Sequence, residues 1–183
     1  MELIRVSYRR KDLIGLRDLP VEDILQILHS AETMRFVVNQ PLKRAPHLLG
    51  KSIVELFYKE STRTRLSFSL ATKYMQGTLS SISFEDSQNP RENLVEIAKT
   101  LDRMGTDTII IRHPMSGAAE LVAKNVKASV INAGDGFNEH PTQALVDIFT
   151  IKQNKGKIKD LRTYEIRGKC CGWCTGYSYA QRY

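Results

Sequence analysis

No run of about 18 consecutive apolar residues occurs in this sequence, so it offers no candidate for a transmembrane helix. The opening stretch Met1-Glu-Leu-Ile-Arg-Val-Ser-Tyr-Arg-Arg also lacks the apolar centre of a secretory signal. The expected compartment is the cytoplasm, with no membrane partner. Cysteine is scarce: Cys170, Cys171 and Cys174 crowd within five positions near the carboxyl end, unlike the spread, even-numbered set of a disulfide framework. Cys171-x-x-Cys174 has no second pair and no nearby His to complete four metal ligands, so no zinc site is expected. Acidic residues are fewer than basic ones, 20 against 27, but the imbalance is local. From Lys152 onward eight basic residues stand against two acidic ones, which accounts for six of the seven net positive charges. The preceding part is nearly neutral, which argues against a nucleic-acid-binding body.

What is present is enough for one core, since a chain of 183 residues with 42% hydrophobic residues suits a single domain plus an appendage. Residues 20–37 place Ile24, Ile27, Leu28, Ala31 and Met34 at helical spacing behind Pro20, which suits a first turn; this apolar stripe needs a partner surface. Short strands are expected at 52–58, 78–84, 108–112 and 128–132. Helices are expected between them at 62–75, 92–104 and 116–124, and a last one at 141–153. Leu94, Ile97, Ala98, Leu101 and Met104 share one face of the second of these, and Gly105 supplies its stop. Such alternation predicts an α/β fold: a parallel sheet with helices on both faces, because parallel strands need crossover connections. Asn154-Lys-Gly-Lys reads as a hinge or linker. After Leu161 the sequence has few aliphatic residues and no sustained period, so it cannot build a second core by itself.

The chemistry concentrates at Glu60-Ser-Thr-Arg-Thr-Arg-Leu-Ser-Phe, which follows a predicted strand and opens a predicted helix, the junction where open α/β sheets collect ligands. Ser61 is suited to cap the helix, leaving first-turn N–H groups for an anion, while Thr62, Arg63 and Thr64 add donors. This is a phosphate cradle without a glycine-rich loop; the plainer alternative is a Ser-capped helix with exposed arginines. Arg112-His113-Pro114 ends another predicted strand, and His140-Pro-Thr-Gln opens the last helix soon after Asn132-Ala-Gly-Asp-Gly. All carboxyl ends of parallel strands share one edge, so Arg112, His140 and Gln143 can converge on whatever Ser61 to Thr64 bind.

Taken in order, Ser-Thr-Arg-Thr-Arg, Arg-His-Pro, Asn-Ala-Gly-Asp-Gly and His-Pro-Thr-Gln resemble the amino-terminal domain of aspartate carbamoyltransferases, over about residues 11–161. Ornithine carbamoyltransferases share the first motif and a His-Pro-x-Gln, whereas the two middle motifs are similar to the aspartate branch. The resemblance implies transfer of a carbamoyl group from carbamoyl phosphate to the amine of L-aspartate, in pyrimidine biosynthesis, without metal or organic cofactor. It implies that Ser61, Thr62, Arg63 and Thr64 hold the phosphate, that Thr64, Arg112 and His140 surround the carbonyl oxygen, and that Gln143 meets the carbamoyl amino group. It also implies a homotrimer with active sites shared between subunits. On this reading residues 1–153 form the carbamoyl-phosphate-binding domain and 154–183 a linker and basic tail where the family has its aspartate-binding domain, so impaired turnover is expected. The family's Ser-x-x-x-Lys-Gly-Glu loop is shorter here, Phe84-Glu-Asp-Ser-Gln-Asn-Pro-Arg-Glu, with Ser87 in place, Pro90 where Lys would fall and Arg91 as the nearest cation. Two alternatives stand beside this one: a non-catalytic interaction protein that keeps the fold and uses its basic tail, and a carbamoyltransferase for another amine such as ornithine.

Overall fold

The computed structural model describes residues 10–59, 61–84 and 93–158. Among these described residues nine principal elements follow one another: α1 Val21–Val38, β1 Ser52–Phe57, α2 Thr62–Tyr74, β2 Thr78–Ser83, α3 Leu94–Arg103, β3 Thr108–His113, α4 Ala118–Ala123, β4 Ser129–Asp135 and α5 Pro141–Lys155. The four strands form one parallel sheet in the order β2-β1-β3-β4. The inner strands β1 and β3 are buried almost end to end, as their Ile/Val/Leu runs require when both faces are covered. The Ser-rich β2 is an edge, mostly open to water. Beyond β4, Leu13 adds an isolated parallel bridge to Ile131, its N–H reaching Val130 O at 2.8 Å.

Strand alternation sorts the core into two faces. Val54, Leu56, Ile109, Ile111 and Val130 pack with Ala98 and Leu101 of α3 and Ala119 and Val122 of α4. Ile53, Phe57, Ile110 and Ala133 point the other way, under Phe68 of α2. On a third cluster, Ile24 and Leu28 of α1 meet Ala144, Leu145 and Ile148 of α5, so α5 is the partner that the α1 stripe requires. Each fully buried side chain of this size contributes about 1.5–3 kcal/mol of transfer free energy.

The expected strands and helices are all present, with three differences. Met104 is not on the buried face of α3 but 76% exposed, because the helix ends at Arg103 and Gly105, at φ +88°, turns the chain away. Asn154 and Lys155 belong to the last turn of α5, not to a hinge; the stop is Gly156 in the left-handed conformation. Ser116 lies outside α4, which Gly117 precedes at φ +82°. Among the described residues no helix is long and apolar enough to cross a membrane.

Candidate active site

The order β2-β1-β3-β4 has a direct chemical consequence. The chain leaves β1 toward β2 on one side and returns through α3 to β3 on the other, so a crevice opens between the carboxyl ends of β1 and β3. Ser61 to Thr64 follow β1, and Arg112 is the next-to-last residue of β3, opposite Phe57 in the register. The N–H of Tyr58 donates to Arg112 O at 2.9 Å, linking the two strand ends directly.

At the start of α2, Ser61 occupies the cap position, but its side chain does not cap. Its hydroxyl donates to Thr64 Oγ1 at 2.8 Å and accepts none of the first-turn N–H groups. The expected capping bond is thereby replaced by a side-chain pair, which leaves the first-turn N–H groups without a bond to the Ser61 side chain at the helix end where the dipole favours an anion. Arg63 is exposed, whereas Arg65 is drawn inward: its Nη2 donates to Ser83 Oγ at 2.9 Å and its guanidinium lies 5.4 Å over the Phe57 ring.

Arg112 and His140 meet around Gly134. A Cβ there would lie 2.9 Å from Arg112 Nη1 and 3.1 Å from His140 Cδ2, and the backbone sits at φ +113°, so only glycine allows this approach. Arg112 is buried and donates from Nη1 to Ala133 O at 2.8 Å. Burial lowers its pKa, yet a guanidinium remains a cation at neutral pH. His140 caps α5: its Nδ1 accepts the Gln143 N–H at 3.3 Å, with Thr142 Oγ1 at the same distance. Burial and then the Arg112 charge push its pKa down to about 4, so the ring is neutral near pH 7. With Nδ1 serving as acceptor, the proton of the neutral ring belongs on Nε2, which makes that nitrogen a donor.

Gln143 Nε2 donates to Asp147 Oδ1 at 3.0 Å, which fixes the amide orientation and leaves its oxygen as an acceptor. Desolvation raises the Asp147 pKa, while this bond opposes the rise. His113, next to Arg112, is a packing residue. Its Nδ1 accepts the Met115 N–H at 3.0 Å, and its ring tilts against Tyr58 at 4.6 Å.

Two residues that the motifs contained without an assigned role turn out to shape the site. Asp135 is buried and accepts from Gly117 N at 2.8 Å, Asn132 Nδ2 at 2.9 Å, Glu139 N at 3.1 Å and Asn138 Nδ2 at 3.1 Å. Asn132 Nδ2 also reaches Ile14 O at 2.8 Å. Together they fold the loop that delivers His140; the Asn-Ala-Gly-Asp-Gly spacing was the available signal. A separate cavity of about 520 Å³, bounded by Lys11, Arg17, Glu120 and Glu139, contains none of the expected site residues. Among the described residues no group of three His, Cys, Asp or Glu could hold a metal ion. Ser87, Pro90 and Arg91 of the altered loop, and the three cysteines, lie outside the described residues.

Comparison with known proteins agrees with this architecture. Residues 11–153 match the family described as aspartate/ornithine carbamoyltransferase, carbamoyl-P binding domain. The aspartate carbamoyltransferase catalytic subunit of Ruminiclostridium cellulolyticum is 56% identical over 158 residues, covering 86% of this chain and 50% of that protein. That of Acetivibrio thermocellus is 56% identical over 155 residues, with 84% and 50% covered. Among solved structures, the catalytic subunit of the M. jannaschii aspartate transcarbamoylase superposes with TM-score 0.76 at 38% identity, covering 82% of this chain and 49% of the other. The Trypanosoma cruzi aspartate transcarbamoylase in complex with carbamoyl phosphate and aspartate gives 0.78 at 31% identity, covering 86% and 49%. The chain belongs to the aspartate/ornithine carbamoyltransferase family and carries its carbamoyl-phosphate-binding domain. It spans about half the length of the curated relatives it matches.

Proposed function

We propose that this chain is the carbamoyl-phosphate-binding half of an aspartate carbamoyltransferase, and that its site receives carbamoyl phosphate in the crevice between β1 and β3. The observation that carries the reading is the gathering of a helix start, a buried Arg and a neutral His at one switch point of the sheet. In this arrangement Ser61, Thr62, Arg63 and Thr64 hold the phosphate. Thr64, Arg112 and His140 face the carbonyl oxygen, and the Gln143 oxygen accepts from the carbamoyl amino group.

In the reaction the aspartate amine attacks the carbonyl carbon, negative charge builds on its oxygen, the bond to the phosphate oxygen breaks and the amine gives up a proton. Preorganised donors at that oxygen lower the barrier, and Arg63 with the α2 helix end stabilises the departing phosphate. A neutral His140 suits this role, because it donates a hydrogen bond beside Arg112 without adding a second charge. The aspartate acceptor is supported by relatives that are aspartate carbamoyltransferase catalytic subunits. The reading extends to a cytoplasmic homotrimer in which a neighbouring subunit completes each site.

Titration of the chain with carbamoyl phosphate and with inorganic phosphate tests this reading; saturable binding lost in Arg63→Ala is expected. A polypeptide of these 183 residues should form carbamoyl aspartate slowly, since holding both reactants in a near-attack pose is worth about 7–11 kcal/mol when fully realised. Turnover on the order of 1 per second by that polypeptide would contradict the reading of the chain as the carbamoyl-phosphate-binding half alone.

A further inference from the structure

Glu55 sits at the middle of β1, fully buried, and neither carboxylate oxygen has a hydrogen bond of normal geometry. Alternation puts it on the face of Ile53 and Phe57, which pack with Ile110, Ala133 and Phe68. Its register neighbours are Ser81 on β2 and Ile110 on β3. Burial raises the Glu55 pKa, and what opposes the rise is the Ser81 hydroxyl and the charge of Arg65. Arg65 descends from α2 onto this face, over Phe57 and bonded to Ser83, and those two residues are register partners two positions beyond Glu55 and Ser81. Its backbone N–H meanwhile closes the first turn of α2 on Ser61 O at 3.0 Å. Arg65 therefore stands on the face that buries Glu55, two positions along β1 from it, and is tied to the end of β2 and to the first turn of α2.

We propose that Glu55 is a positioning residue: acting through Arg65, it holds Ser61 to Thr64 against the ends of β1 and β2 in the geometry that receives phosphate. The inference rests on the reading of that turn as the cradle. A carboxylate is a poor filler for an apolar sheet face, and apolar residues of similar volume in place of buried ions are often neutral or stabilising. Because burial raises the folded-state pKa, the contribution of this carboxyl to stability falls as pH rises through that value, and an apolar side chain in its place carries no such loss. A packing residue and a positioning residue then differ in sign. Loss of the first lowers stability and binding together, whereas loss of the second spares the fold while loosening the turn.

The test measures inorganic phosphate affinity by calorimetry and thermal unfolding at pH 7, on the full 183-residue chain. The variants are Glu55→Met, Glu55→Gln, Arg65→Met, Glu55→Met combined with Arg65→Met, and Arg63→Ala. Expected is a Glu55→Met chain at least as stable as wild type that binds phosphate about threefold to tenfold more weakly, an effect that vanishes when Arg65 is already Met. Glu55→Gln should weaken binding in the same direction. Unchanged affinity in both Glu55 variants overturns the proposal, as does a parallel fall of stability and affinity, or equal weakening in both Arg65 backgrounds. If wild type binds and Arg63→Ala does not, the cradle stands whatever Glu55 does. A wild type that does not bind phosphate overturns both readings.

Discussion

Arg65 Nη2 donates to Ser83 Oγ at 2.9 Å, tying α2 to the end of β2, while Arg63, two residues earlier in the same turn, is exposed. The two arginines of one motif thus have different work. Arg63→Ala should weaken phosphate binding by on the order of tenfold or more, the scale of a lost charge-assisted hydrogen bond. Arg65→Ala should weaken it less and lower the unfolding temperature more. Calorimetry and thermal unfolding of both variants decide; equal losses of affinity would count against the placement of phosphate at Ser61 to Thr64.

Gly134 separates Arg112 from His140 at distances that leave no room for a methyl group. Gly134→Ala adds that clash to the strain of a left-handed backbone, so a loss of about 2 kcal/mol or more is expected in urea unfolding. Near-wild-type stability would mean that Arg112 or His140 moves aside without cost.

Asp135 accepts hydrogen bonds from three segments that meet behind the site. Asp135→Asn keeps the shape but replaces one acceptor oxygen with an NH2 donor facing donors that need an acceptor, leaving buried N–H groups unsatisfied. A destabilisation of about 1–3 kcal/mol follows. The variant should also shift the His140 ring signal in an NMR spectrum, since the 135–140 loop carries that residue; an unchanged signal would deny the loop its positioning role.

His140 has its pKa lowered to about 4, so its contribution to stability is present above the unfolded-state value near 6.5 and is lost as pH falls from there toward 4. The loss is on the order of 3 kcal/mol at full extent. Glu139 and Asp147, both raised mainly by burial, act with the opposite sign over acidic pH, so the comparison must be made against a variant. His140→Asn retains a capping acceptor for α5 while removing the titration. The wild-type stability should fall relative to His140→Asn as pH drops from 6.5 to 4, and parallel curves would show that His140 titrates normally.

Local chemistry alone placed most elements of this protein. Short apolar runs bounded by turn residues marked β1 and β3, Pro141 and His140 marked the start of α5, and Gly105 marked the end of α3, because composition and turn residues act within a few positions of themselves. The four motifs also named Arg63, Arg112, His140 and Gln143 as a set. Local chemistry misjudged Met104 and Asn154, where a helix end moved by one or two residues, and it gave Ser61 a capping bond, whereas its hydroxyl donates to Thr64 Oγ1. The order β2-β1-β3-β4 was decided only by tertiary structure, since strand pairing depends on contacts far apart in the chain, and that order makes the crevice. The same is true of burial: it pushes His140 to its neutral form, turns Arg65 inward and leaves Glu55 inside an apolar face. Desolvation depends on what packs around a group, and no neighbour in the sequence specifies that.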